Sequence, residues 1–426
     1  MGNKMRSAKM AFDAPVTEIT AAEQTVLCRR FGFSELRSHQ IAAISAMSAG
    51  HDCLLTVSTG GGKSEAILGA KLLHPERGVH VQIEPLRALQ ADMLTRMKAL
   101  GLRVELLNSD LSAAQFESVL SKVQQGTVDC LLTTPEQLEK SRVFQALNAV
   151  SVGFLAVDEC HCLVEWGGEF RPAYDKIGTF IQHLDKRPVV AACTATLAPD
   201  AEKHVRKSLH LRDPVRVCGS VDRPEIRQLA VEIGTDLTVS DLIQKERYLR
   251  LKNILKDYGK DGSVIVYCST VKQVHDVSAW LRRKGYAAEA FCAELSRSEK
   301  QRIQHRFRSK KRVVIVATSA FGMGVDKSNI RLIVHMSMPL SIEDYWQKTG
   351  RAGRDGKKAR CLVLWHKSDF NTNALIVGRS GKKYRKLLQL REFLSSGECF
   401  AQQLRSYFGQ PKGKPCHHCS NCKHNF

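Results

Sequence analysis

The chain is 426 residues long, 43% apolar and carries a formal net charge of +21, which allows two or three domains with cores of their own. The charge points to a polyanion such as nucleic acid, with mere solubilisation as the plainer alternative. Fourteen scattered cysteines make no disulfide framework and favour a reducing, intracellular setting, residues 1–18 hold no signal-type apolar run, and no stretch approaches the ~20 apolar residues of a membrane span.

Residues 1–20 read as a flexible tail, and a turn at Phe31-Gly-Phe then feeds a helix holding Ile41 and Ile44. Leu54, Leu55 and Val57 form a short buried strand that breaks into Gly60-Gly61-Gly62 and enters a helix at Lys63-Ser64. Glycines let backbone N–H groups turn onto phosphate oxygens. Lys63 supplies a compact charge for the β/γ-phosphates, Ser64 a hydroxyl for Mg²⁺, and the helix its positive end. The strict phosphate-loop pattern asks for glycine where Val57 stands, and Thr59-Gly-Gly-Gly-Lys-Ser64 is instead the variant common in helicases. A glycine-rich linker is the plain alternative, but strand before and Lys-Ser after weigh against it, so the chain is expected to bind ATP.

Beyond this loop the chain alternates: a strand at 79–83, a helix carrying Leu86, Leu89, Met93, Leu94 and Met97, then apolar runs at 130–133, 154–157 and 189–193. That rhythm predicts a parallel sheet wrapped by helices. Asp158-Glu159-Cys-His161 follows a strand; a carboxylate there can hold Mg²⁺ through water while its neighbour polarises the attacking water, though acidic residues after a strand often only face solvent. The pattern resets near Asp213 and Asp222, which divides residues 21–217 from 218–366. The second series has runs at 264–267, 313–317, 332–334 and 361–365 and no phosphate loop, so a nucleotide cleft between two halves is expected. Gln347 precedes Gly350-Arg351-Ala-Gly-Arg354, whose arginines could stabilise γ-phosphate charge or form an ordinary basic loop.

Residues 367–426 hold eleven Lys/Arg against three Asp/Glu and end in clustered cysteines. Cys399 with Cys416-His-His-Cys419-Ser-Asn-Cys422 offers the four thiolates of a closed Zn²⁺ site; His417, His418 and His424 are rivals that break the regular spacing.

From Phe31 to Cys422 the chain resembles the RecQ-type DNA helicases of superfamily 2. Eight motifs carry the resemblance in family order: Phe31-Gly-Phe with Arg37 and Gln40, Thr59 to Ser64, Pro85-Leu-Arg87-Ala-Leu, Thr133-Thr-Pro-Glu136, Asp158 to His161, Thr194-Ala-Thr196, Ala317-Thr318-Ser319 through Asp326-Lys, and Gln347 to Gly356. The resemblance implies that Gln40, helped by Arg37, reads the adenine edge, and that Thr59 to Ser64 and Asp326 belong to the nucleotide site. It makes Asp158 a magnesium partner and Glu159 the base, places His161 and Gln347 in the catalytic set, and sends Arg351 and Arg354 across the cleft. Thr194 and Thr196 would link hydrolysis to domain movement, and Arg87, Thr133, Thr318 and Ser319 would hold single-stranded DNA.

Two features set RecQ-like chains apart from other DExH helicases. In the loop after the DExH tetrad, Trp166, Phe170 and Arg171 could stack on a base, against the alternative of two core aromatics. The other is the zinc-binding tail. The chain departs from the family at Glu165 (usually Gln), at Gly168 (usually His), at Phe291-Cys292-Ala-Glu294 (usually a His-Ala/Gly pair) and after Cys399, where arginines are usual.

These readings predict two RecA-like parallel-sheet domains followed by a helical zinc-binding subdomain. The expected function is ATP-dependent 3′→5′ translocation and unwinding on single-stranded and forked DNA with ATP, Mg²⁺ and Zn²⁺, by a monomer or weak oligomer in the cytoplasm or nucleoid of a prokaryote, or in a eukaryotic nucleus. With the last cysteine four residues from Phe426, neither a winged-helix nor a further nucleic-acid-binding domain is expected. An RNA helicase, and an annealing protein with vestigial ATPase, remain open alternatives.

Overall fold

The computed structural model describes residues 17–423 except 59, 86, 166–171, 235–239 and 322–326, and gives no side chains at 87, 88 and 165. The expected tail is partly anchored: the Ile19 N–H donates to Ser45 Oγ at 2.9 Å, and Thr20 caps the helix Ala21–Phe31. The rest of that call lies outside the described residues. Two compact units meet in sequence at Ser220 and Val221.

In the first unit the strands are β1 (Cys53–Thr56), β2 (Val79–Ile83), β3 (Val104–Leu107), β4 (Cys130–Thr133), β5 (Val152–Val157), β6 (Val189–Thr194) and β7 (Val215–Cys218). They lie in the order β3-β4-β2-β5-β6-β1-β7, every pair parallel. Successive side chains of a strand point to opposite faces, and here both faces are covered. Leu54 joins the core with Val81 and Leu155, whereas Cys53 and Leu55 join the one with Ala42, Ala66 and Ile67. Since β7 runs to Cys218, a boundary after residue 217 would clip its last residue.

The second unit contains β8 (Ile226–Glu232), β9 (Ser263–Tyr267), β10 (Ala288–Phe291), β11 (Val314–Ala317), β12 (Ile330–His335) and β13 (Ala359–Trp365), in the order β10-β11-β9-β12-β13-β8 and again all parallel. Val264 and Val266 face one core, Ile265 and Tyr267 the other. That second core continues into Leu387, Phe393, Cys399, Leu404 and Cys419, so the C-terminal region shares a core with this sheet. It also covers the β8 edge: the Ser420 N–H donates to the Gln228 carbonyl at 3.1 Å, Ala230 N–H to Ser420 Oγ at 3.2 Å, and Arg227 Nε to the His418 carbonyl at 2.9 Å. An edge strand is thereby closed to stray pairing.

Candidate functional site

In the first unit the site is built at the carboxyl ends of three neighbouring strands, where open α/β sheets bind ligands. β1 ends at Thr56, in register with Thr194 at the end of β6, and β5 beside it delivers Asp158. Between β1 and the helix Lys63–Leu73 the chain turns on Gly60 and Gly62, at φ 79° and 85°, a region closed to most L residues. At Gly61 a Cβ would collide with Val57 Cγ1 and stand 2.8 Å from the Ser58 carbonyl. The Val57 side chain and the Ser58 backbone together leave room only for glycine at Gly61. The cradle fits phosphate: turned-in amides, a helix N-terminus, and Lys63 and Ser64 on the first turn. Lys63 Nζ donates to the Val57 carbonyl at 3.0 Å, and its charge acts on Asp158.

The first turn of the helix Ser38–Ser48 holds this loop by all three glycine carbonyls. Arg37 Nη1 donates to Gly60 at 3.2 Å, Gln40 Nε2 to Gly62 at 3.2 Å, and His39 Nε2 lies 2.7 Å from Gly61 and must donate. Gln40 Oε1 also accepts the Arg37 N–H at 2.9 Å, and Gln40 is buried. One N–H and one lone pair of its amide thus brace the loop, and the second N–H and the second lone pair of Oε1 are the groups an adenine contact of the expected kind would use. His39 was not singled out from sequence, because one histidine beside a glutamine carries no spacing signal.

Asp158 Oδ1 accepts the Glu159 N–H at 2.8 Å, and Glu84, buried just past β2, hydrogen-bonds Asp158. Burial, then the charge of Glu159, pushes the Asp158 carboxyl up to about 6, with Lys63 opposing. Glu159 sits at φ 49°, a strained conformation of the kind that clusters at functional sites. Its Oε2 is 3.2 Å from His161 Nδ1, which is 3.0 Å from Thr194 Oγ1; that hydroxyl donates to the Thr196 carbonyl at 3.1 Å. Burial opposes a charge on His161, but Cys162 and the Glu159 carboxylate hold its pKa well above the usual imidazole value. A chain of polar groups thus joins the DExH tetrad to β6.

In the second unit Gln347 lies half-buried on the helix Ile342–Thr349, Arg351 is buried and Arg354 half-buried. Arg223 braces their loop, donating to the Gly350 and Ala352 carbonyls at 3.1 and 2.8 Å, and pairs with Glu225. The Tyr267 hydroxyl is pushed up to about 12 by burial, with the Arg351 charge opposing.

The four sulfurs of Cys399, Cys416, Cys419 and Cys422 lie within 4.8 Å of one another. Cys399 Sγ accepts the Cys416 N–H at 3.2 Å, as thiolate ligands do, and Cys416 Sγ is 4.0 Å from Cys422 Sγ. Four thiols in this arrangement fit a tetrahedral zinc ion. None of the fourteen cysteines is in a disulfide.

The expected DNA contacts fare unevenly. Thr133 is a correction: its hydroxyl is fully buried and donates to the Leu107 carbonyl at 3.0 Å, so it offers nothing to a strand at the surface. Ser319 is exposed and Thr318 half-exposed past the end of β11. The side chain of Arg87, together with Thr59, Trp166, Phe170, Arg171 and Asp326, lies outside what the structure describes. Among the described residues no helix is long and apolar enough to cross a membrane.

Fold and site together define a tandem α/β core of the helicase class. Residues 37–204 match the DEAD/DEAH box helicase family, 246–356 the helicase conserved C-terminal domain, and 368–423 the RecQ zinc-binding family. The ATP-dependent DNA helicase RecQ of Pasteurella multocida is 33% identical over 97% of this chain and 64% of its own, and that of Haemophilus influenzae 32% identical over 93% and 63%. Over most of its length the chain is similar to RecQ-type DNA helicases. It spans just under two thirds of the length of these relatives. Among solved structures, Mss116p bound to single-stranded RNA and AMP-PNP superposes with a TM-score of 0.68 at 17% identity, covering 93% of this chain and 77% of that one. Helicase Lhr of Mycobacterium smegmatis, bound to single-stranded DNA and AMP-PNP, gives 0.63 at 19%, covering 91% and 55%. Both likenesses concern the fold.

Proposed function

We propose that this chain is an ATP-driven DNA translocase and helicase moving 3′→5′ on single strands. The observation that carries the reading is the convergence of Lys63, Asp158, Glu159 and the His161–Thr194 pair at adjacent strand ends. In this reading the glycine cradle and Lys63 bind the phosphates, Ser64 and Asp158 hold Mg²⁺, and Glu159 takes the proton of the attacking water. Arg351 and Arg354 act on the charge that develops at the γ-phosphate. The His161–Thr194–Thr196 chain would report hydrolysis to the nucleic-acid-binding surface, to which Thr318 and Ser319 contribute. The Cys399 cluster holds zinc and keeps the C-terminal region docked on β8; the RecQ relatives support DNA as the track.

The test is ATP hydrolysis by the purified chain with no nucleic acid, single-stranded DNA or single-stranded RNA, followed by unwinding of duplexes with a 3′ or a 5′ tail. Stimulation by DNA and opening of 3′-tailed duplexes is expected. Equal stimulation by RNA, or a preference for 5′ tails, would overturn substrate or polarity respectively; hydrolysis blind to all nucleic acid would reject the motor.

A further inference from the structure

The second unit holds a group of potential metal ligands unrelated to the cysteine cluster. His275 lies on the helix Val271–Arg283, Cys292 directly follows β10, and Glu294 is two residues further on. One ligand atom from each, an imidazole nitrogen, a thiol sulfur and a carboxylate oxygen, lies within 4.8 Å of the other two. Among the described residues, only this trio and the four cysteines come together in this way.

We propose that His275, Cys292 and Glu294 form a second metal site, for a thiophilic divalent ion of the zinc class, with a fourth position open to water or an exogenous ligand. Donor chemistry selects the ion: sulfur with imidazole and one carboxylate suits Zn²⁺, whereas Mg²⁺ and Ca²⁺ want oxygen. Distances fit as well. Cys292 Sγ and His275 Nε2 are 4.0 Å apart, long for a hydrogen bond. With zinc bonds of about 2.3 Å to sulfur and about 2.05 Å to nitrogen, a tetrahedral angle needs about 3.5 Å, a closure of roughly half an ångström. His275 and Glu294 are exposed and can swing to make it, while Cys292 is fully buried and fixed. Burial also keeps the thiol from being a ready target of soluble oxidants. On binding, a Zn–S bond forms and the thiol proton leaves to solvent. The ion would then tie the loop after β10 to the helix Val271–Arg283. That loop adjoins the end of β11, where the Thr318 N–H donates to the Phe291 carbonyl at 3.3 Å.

The experiment is zinc analysis of the full chain, saturated with Zn²⁺ and passed through metal-free buffer, for the wild type, His275→Ala, Glu294→Gln and Cys419→Ser. His275→Ala is expected to hold one zinc fewer than wild type, and Glu294→Gln to lose zinc to a competing chelator with roughly tenfold or greater loss of affinity. Because His275 is exposed, its loss spares the fold, and a melting curve checks this. Since the readout is a difference of one equivalent, it stays separate from the four-cysteine site, which Cys419→Ser reports. Cobalt loading should show a one-thiolate charge-transfer band that His275→Ala removes. Equal zinc and equal cobalt spectra in wild type and His275→Ala would overturn the proposal.

Discussion

Lys63 and Glu159 sit in the same corner of the first unit yet should fail differently. Lys63→Ala removes a charge aimed at phosphate and should cut hydrolysis about 10²-fold or more, with the far-UV spectrum unchanged. Glu159→Gln should still bind ATP while turnover drops about 10²- to 10⁴-fold, since an amide accepts no proton; normal turnover there would remove Glu159 from the base role. His39 gives a subtler test. It donates to the Gly61 carbonyl at 2.7 Å, so His39→Ala should weaken ATP binding severalfold at unchanged melting temperature, and His39→Gln, which keeps an N–H, should restore much of it. Asp158 supplies a pH signature. Its folded carboxyl titrates at about 6 against an ordinary 3.8, so the fold binds this proton more tightly than the unfolded chain does. The resulting stability is present at low pH and is lost as pH rises from about 4 to about 6. In magnesium-free buffer the melting temperature of the wild type relative to Asp158→Asn should fall across that window. Parallel curves would mean that burial does not shift this group.

At the scale of elements, the second unit rests on a buried pair joining two helices. Arg247 Nη2 lies 2.7 and 2.6 Å from the two Asp369 oxygens, and Asp369 Oδ2 also accepts the Met338 and His366 N–H groups at 3.1 and 3.0 Å. Breaking such a pair costs about 3–5 kcal/mol because one charge is left buried. Asp369→Ala should cost more than Arg247→Met, since it also strands two backbone donors. Urea melts that ranked them the other way would show that the cation carries the junction. The strand pattern teaches a related lesson. The apolar runs mark β1, β2, β4, β5, β6, β9, β11, β12 and β13, all interior to their sheets, whereas β3, β7, β8 and β10, all edges, went unseen. Although β2 carries buried His80 and Gln82 on one face, most interior strands are apolar on both faces and read as runs. Edge strands carry Glu105, Arg216, Arg227 and Glu289 between apolar residues and break them.

Across the whole molecule the charge is very uneven. Residues 1–220 hold 25 Lys/Arg against 24 Asp/Glu, and residues 221–426 hold 39 against 19. The nucleotide-binding unit is close to neutral and the second unit carries nearly all of the +21. Polyanion affinity should therefore reside mainly in the second unit. Each single-strand phosphate neutralised adds about −0.7 to the slope of log affinity against log salt. Changing the exposed Lys310, Lys311 and Arg312 to Gln should flatten that slope by roughly one to two, and changing the exposed Lys98, Lys176 and Lys186 of the first unit should alter it little. Equal flattening in both, read by fluorescence titration with single-stranded DNA, would refute the assignment.

The sequence by itself determined the two α/β series, the phosphate loop, the DExH tetrad and the four-cysteine cluster. These are set by local pattern: apolar runs, glycines before Lys-Ser, and ligand spacing. Tertiary structure alone decided what brings distant residues together. It committed Gln40 and His39 to the loop's carbonyls, turned Thr133 into the sheet and laid Ser420 along β8. It also gathered His275, Cys292 and Glu294 at one strand end, because a parallel crossover brings residues 17 apart in sequence side by side, and no spacing rule records that.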